Sequence, residues 1–206
     1  MTARRRVGIL GGTFDPIHIG HLHIAQCALH DLHLDDVIYV PAGSPPHKPD
    51  RPLTSGALRL EMIDAAIEGI AGLKSSDIDL LGAAPSYTSV LLERFRARHP
   101  DTELWFIIGS DSLHEFHTWH RPTGIIELAR LAVVERPGWP IGSLTERPDV
   151  PGLARSVDRI GSVPIDLSAT VIRKRLAQGL PVDWLVPPRV LDLIQEARIY
   201  REELDQ

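Results

Sequence analysis

The chain has 206 residues, of which 43% are hydrophobic and 24% charged, a balance that suits one folded core and excludes disorder along the whole length. With 22 Lys and Arg against 27 Asp and Glu, the formal net charge is −5, which excludes a nucleic-acid-coating protein but not a small anionic ligand held by a few local donors. No run approaches about 18 apolar residues, the apolar stretch behind Arg4-Arg5-Arg6 is too short for a secretory core, and the single Cys27 has no disulfide partner, so a cytoplasmic protein without a membrane span is expected.

Residues 6–10 form the first apolar run, of the kind found in parallel strands buried on both faces. After a glycine-rich turn, Leu22, Ala25, Leu29 and Leu32 recur at helical spacing. A second strand is expected over 36–40. A proline-rich loop follows over 41–52 and carries His47-Lys48 just past a strand end, where open α/β sheets place ligands. Leu60, Ile63, Ile67 and Ile70 mark a second helix, and Thr88, Leu91, Leu92 and Phe95 a third. Strands are expected again over 103–108 and 131–135. Pro and Gly crowd residues 135–152, which read as an irregular connection. Ser168 caps a helix running toward Gly179, with Ile172 and Leu176 on one face. Pro187-Pro188 opens another, with Leu191 and Ile194 facing inward. There is no internal repeat. The alternation predicts an α/β fold: a Rossmann-like doubly wound parallel sheet with helices on both faces and a small C-terminal helical segment, all in a single domain over 1–206.

The segment from Gly11 to His21, Gly-Gly-Thr-Phe-Asp-Pro-Ile-His-Ile-Gly-His, directly follows the first strand. It is neither a Walker loop, which ends in Gly-Lys-Ser/Thr, nor the three-glycine dinucleotide loop. Gly11 and Gly12 allow close backbone approach, and Gly20 removes a side chain between His18 and His21, leaving room for a phosphate. The start of the following helix offers unpaired N–H groups and a partial positive charge. Taken alone, His-x-Gly-His also fits a tight turn with two solvent-facing histidines. The preceding strand and the Gly-Gly-Thr-Phe-x-Pro lead favour anion binding.

These residues resemble the His-x-Gly-His signature of a nucleotidyltransferase superfamily related to the class I aminoacyl-tRNA synthetases. Leu167-Ser168-Ala169-Thr170-Val171-Ile172-Arg173 resembles the second signature of that superfamily, which closes over ATP. Further segments are similar to those of the bacterial nicotinate-nucleotide adenylyltransferases: Pro45-Pro46-His47-Lys48, Arg59 with Met62, Ser86-Tyr87-Thr88, and 106–113 followed by Trp119. Val90-Leu91-Leu92 departs from that pattern, which commonly has a polar residue and Thr before the Leu.

The resemblance implies transfer of AMP from ATP to nicotinate mononucleotide, giving deamido-NAD and pyrophosphate in NAD biosynthesis, with direct in-line attack by the acceptor's own phosphate. His18, His21, Thr13 and Arg173 would be the catalytic residues. Gly11, Gly12, Phe14, Gly20, Gly109, Ser168, Thr170 and Ile172 would bind ATP, and His47, Lys48, Tyr87, Thr88, Asp111 and Trp119 the acceptor. Asp111 would accept from a ribose hydroxyl. Mg²⁺ would travel on ATP with mostly water ligands, without a protein cage, and residues from about 166 to 206 would close over ATP. Cys27 reads as a packing residue. The triplet His114, His117 and His120 reads as a solvated face rather than a metal site.

Other readings compete with this one. A different acceptor, nicotinamide mononucleotide or pantetheine phosphate, would use the same first motif. A non-catalytic nucleotide-binding module would not need both histidines. A Rossmann oxidoreductase lacks its glycine fingerprint here, and a tRNA synthetase would need a longer, less acidic chain.

Overall fold

A computed structural model describes residues 4–45, 52–82, 85–142 and 148–201. The apolar runs become strands β1 (Arg6–Gly12), β2 (Asp36–Pro41), β4 (Glu103–Gly109) and β5 (Arg130–Val134), joined by two short strands, β3 (Leu73–Ser75) and β6 (Val157–Ile160). All pairings are parallel, and the spatial order is β3-β2-β1-β4-β5-β6. The chain therefore builds outward from β1 to one edge, returns to β4, and builds to the other edge. The order reverses between β1 and β4, which opens a crevice at their carboxyl ends, where Gly12 and Gly109 lie.

The helices are α1 (Ile19–Asp31), α2 (Gly56–Ile67), α3 (Thr88–Arg98), α4 (Ser110–His114), α5 (Pro122–Leu128), α6 (Leu153–Ser156), α7 (Ala169–Ala177) and α8 (Pro188–Glu196), with a 3-10 turn over Phe116–Thr118. They cover both faces of the sheet, which explains why β4 is apolar from Leu104 to Ile108. Its Trp105 and Ile107 join one core with Tyr39, Met62, Ile63 and Ile172. Its Phe106 and Ile108 join the other with Leu91, Leu92, Phe95 and Ile125. The doubly wound sheet expected from the sequence is the one observed.

Several details differ from expectation. Strand β1 continues through Gly11 and Gly12, which pair with Val40 and Pro41. Strand β5 starts at Arg130 and stops at Val134, leaving Glu135 exposed. Helix α2 ends at Ile67, and Ile70 lies beyond it in a turn whose N–H donates to the Ile67 carbonyl at 3.0 Å. In α8 the fully inward residues are Val190 and Ile194, while Leu191 is half-buried. Helix α7 starts as expected: the Ser168 hydroxyl accepts from the Val171 N–H at 3.4 Å, and Gly179 just past the end adopts a left-handed φ of 66°. His47 and Lys48 lie outside the described residues.

Candidate active site

The turn from β1 into α1 is built from the inside out. Phe14 is buried, with its backbone in the left-handed region at φ 49°, and its ring meets His21 edge-on at 4.9 Å and Tyr39 at 5.7 Å. It is a packing post for the turn rather than part of the cleft wall. His18 stands at the N-cap of α1 and is buried. Its backbone N–H donates to Nδ1 of His21 at 3.3 Å, and the two imidazoles stack with centroids 3.7 Å apart. A Cβ on Gly20 would come within 3.1 Å of the His18 ring. The space left by this glycine is thus occupied by His18 itself rather than held open for a ligand.

The electrostatics of the pair follow from burial. The pKa of His18 is held down to about 4, first by loss of water and then by the positive charge of Arg136. That of His21 is also lowered well below its ordinary value, by burial, His18 and Arg136 in that order. Both rings are therefore neutral near pH 7. Because Nδ1 of His21 accepts from the His18 N–H, the hydrogen-bond network assigns the proton of His21 to Nε2. Nδ1 of His18 is buried and finds no hydrogen-bond partner among the described residues.

In front of His21 lies a cleft of about 490 Å³ at the β1–β4 crevice, whose lining includes His21 but not His18. It brings together Gly11, Gly12, Thr13 and His21 from the first motif, Tyr87 and Thr88 from the start of α3, and Gly109, Asp111 and Trp119 from the segment after β4. A smaller recess of about 150 Å³ adjoins it, and both are lined by Ile24, Asp111 and Arg136. Oδ1 of Asp111 is buried without a hydrogen bond and faces Nε of Arg136 at 3.5 Å. Trp119 is held by Phe116 and Phe106 at 5.3 and 6.1 Å. Tyr87 precedes the first turn of α3, whose leading N–H groups have no side-chain cap.

The second signature stands apart from this cleft and behind the first turn. Arg173 donates to the Asp15 carbonyl at 2.8 Å and to the Thr170 hydroxyl at 3.0 Å. Ser168 and Thr170 are exposed, while Ile172 is fully buried in the core beneath α7. The carboxylate of Asp15 accepts from the hydroxyl of Tyr200, which also receives the Thr54 hydroxyl at 3.1 Å. Beside them the buried Arg59 donates to three carbonyls: Thr54 at 2.9 Å, Thr13 at 2.7 Å and Ala42 at 2.8 Å. One guanidinium thus ties the loops after β1 and β2, which both help wall the cleft, to Thr54, two residues before α2.

Sequence reasoning names Arg59 and Asp15 only as parts of motifs, with no role of their own, and assigns nothing to Arg136 or Tyr200. Arg136 was hidden in the Pro- and Gly-rich stretch, although its place directly after an apolar run was a usable signal. Of the remaining histidines, His114, His117 and His120 are all exposed. Cys27 is half-buried against the core, with its thiol pKa raised chiefly by burial.

Residues 9–175 match the family model described as cytidylyltransferase-like. A protein of Clostridium botulinum named "probable nicotinate-nucleotide adenylyltransferase" is 41% identical over 202 residues, covering 97% of this chain and all of that protein. A protein of the same name from Thermomicrobium roseum is 43% identical, covering 95% and 92%. In fold, the chain resembles Plasmodium falciparum nicotinic acid mononucleotide adenylyltransferase solved with NaAD. The TM-score is 0.78 at 20% identity, over 95% of this chain and 97% of the other.

Proposed function

The chain belongs to the nicotinate-nucleotide adenylyltransferases of the cytidylyltransferase-like nucleotidyltransferases, and from that premise we propose how its cleft moves AMP from ATP to nicotinate mononucleotide, forming deamido-NAD and pyrophosphate. A phosphate oxygen of the acceptor attacks the α-phosphorus of ATP, and the bond from that phosphorus to the pyrophosphate oxygen breaks. The nucleophile is already an anion, so no general base is needed and the protein's work is alignment and charge stabilisation. The observation that carries this reading is the neutral, stacked His18–His21 pair at the helix N-terminus beside the crevice, with Nε2–H of His21 available to a phosphate oxygen.

Thr13 donates to the reacting phosphate from the same turn. Arg173, with Ser168 and Thr170, holds the outer phosphates. Residues 166–206 close over ATP as part of one working unit with the sheet. Adenosine occupies the recess beside Ile24, Trp139 and Ile165, and Asp111, which lines both that recess and the cleft, accepts from a ribose hydroxyl of the acceptor. The nicotinate ring lies on Trp119, and its carboxylate meets the open N–H groups at the start of α3 beside Tyr87 and Thr88. His47 and Lys48 complete the acceptor site from the loop after β2.

Among the described residues no three His, Cys, Asp or Glu side chains gather as a metal cage, and the donors of the first turn are N–H groups suited to anions. This donor set fits a Mg²⁺ ion carried by triphosphate oxygens and water, with the protein gripping phosphate through Thr13, His21 and Arg173. When bound, the ion neutralises phosphate charge. No helix among the described residues is long and apolar enough to cross a membrane.

The test is pyrophosphate release with ATP and Mg²⁺ against nicotinate mononucleotide, nicotinamide mononucleotide and pantetheine phosphate. The expected order places nicotinate mononucleotide first, with His21→Ala lowering kcat by about 10²–10³ and Trp119→Ala raising the acceptor KM. Equal or better use of pantetheine phosphate overturns the substrate assignment.

A further inference from the structure

Of the three exposed histidines after β4, His120 is engaged in a way the other two are not. Its ring lies flat on Tyr87, with centroids 4.3 Å apart and planes within 16°. Its Nδ1 lies 2.9 Å from the hydroxyl of Ser89, a fully buried residue in the first turn of α3. His120 itself does not line the cleft, yet the residue before it, Trp119, does, and so does Tyr87 on the other side of the contact.

The next residue repeats the attachment. Arg121 takes a left-handed φ of 55° and forms an ion pair with Glu93, four residues beyond Ser89 on the same side of α3. The segment 119–121 is thus pinned to α3 at two successive residues. Trp119 between the clamp and the 3-10 turn is extended, at φ −69° and ψ 157°, and its ring is left at the cleft. The surface ion pair contributes little by itself, because both side chains are largely in water. The flat stack and the bond to a buried hydroxyl are the stronger part of the clamp.

We propose that His120 is a positioning residue for the acceptor, resting on the reading above: it locks the segment that carries the Trp119 platform to the α3 turn that receives the acceptor's carboxylate, and so sets the spacing between ring and carboxylate sites. It touches no reacting atom. Its effect falls on the acceptor side, because His120 engages Tyr87 and Ser89, whereas Thr13 is held by Arg59 and Arg173 is held by Asp15.

The experiment is steady-state kinetics of wild type, His120→Ala, His120→Phe, Ser89→Ala and the His120→Ala/Ser89→Ala double variant, varying ATP and nicotinate mononucleotide separately. Loss of one aromatic stack should raise the acceptor KM of His120→Ala about threefold to tenfold, with the ATP KM changed by less than about twofold. His120→Phe, which keeps the flat face, should restore a large part of the loss. Ser89→Ala should add nothing once His120 is already alanine, as for two groups sharing one contact. An unchanged acceptor KM in His120→Ala, or an ATP KM that rises in step with it, overturns the proposal. A wild-type enzyme inert toward nicotinate mononucleotide is a separate result: it removes the substrate reading, and the proposal with it.

Discussion

Lowering the pH tests the burial of the histidine pair directly. An imidazole binds its proton near pH 6.5 in the unfolded chain, whereas in the folded protein burial, with Arg136 adding to it, holds His18 down to about 4. Between those values the unfolded chain binds more protons than the folded one, so stability falls as pH falls, by about 1.4 kcal/mol per unit from this residue. At pH 5 the loss from His18 is about 2 kcal/mol, and it is complete below the folded value. His21, whose pKa is lowered chiefly by the same burial, adds in the same direction. Urea unfolding of the ligand-free protein at pH 7 and pH 5 measures this, with His18→Asn as the reference that lacks the titrating ring. The wild type should lose about 2 kcal/mol more than the variant over that interval. Parallel losses in the two proteins refute the reasoning. Phosphate placed against His21 favours the charged ring, so ATP binding at pH 5–6 should take up protons, visible as a buffer-dependent heat in calorimetry.

Three further outcomes follow from the same geometry. Arg59→Met leaves three backbone carbonyls without their donor and should cost about 3–5 kcal/mol in urea unfolding; a loss under about 1 kcal/mol would show that the two loops do not depend on it. Gly20→Ala places a methyl 3.1 Å from the His18 ring, so kcat should fall by at least about tenfold while unfolding changes by about 1 kcal/mol; wild-type turnover would mean the ring's position is not critical. Arg136→Gln removes a cation that lowers both imidazoles, so NMR titration should find both pKa values higher than in the wild type, and unmoved values would rule out Arg136 as a contributor.

The central strands were legible because both faces of the sheet are covered. In β4 residues 104–108 each enter one of the two cores, so the run reads apolar without a break. The edge strands were not legible, for the converse reason. Strand β3 is three residues long and carries an exposed Lys74, while β6 contains Asp158 and Arg159. Asp158 sits there to accept from the Trp105 indole at 2.8 Å and from Arg130, a cross-strand use that no local pattern encodes. In the site, His18 and His21 were legible from their motif, but their stacking was not, nor was the use of Gly20's vacant side to seat a ring. Phe14 and Ile172 stand inside functional motifs yet serve the core, which a motif alone does not distinguish. Arg136 and Tyr200 had no motif, since each acquires its role only from residues brought in from elsewhere in the chain.

The Asp15 node has a consequence for how the enzyme is made. Asp15 lies in the loop between β1 and α1, yet its carbonyl is met by Arg173, 158 residues later, and its carboxylate by Tyr200, 185 residues later. At translation rates of about 5–20 residues per second, this turn waits on the order of ten to forty seconds for the hydroxyl that completes it. In that interval β1 and β2 can pair from local chain, while β1 still awaits β4 on its other side and the turn awaits Arg173 and Tyr200. A growing chain therefore carries the histidine pair long before it carries the two partners that hold Asp15, and a copy that stops short of Tyr200 lacks the hydroxyl that meets the Asp15 carboxylate.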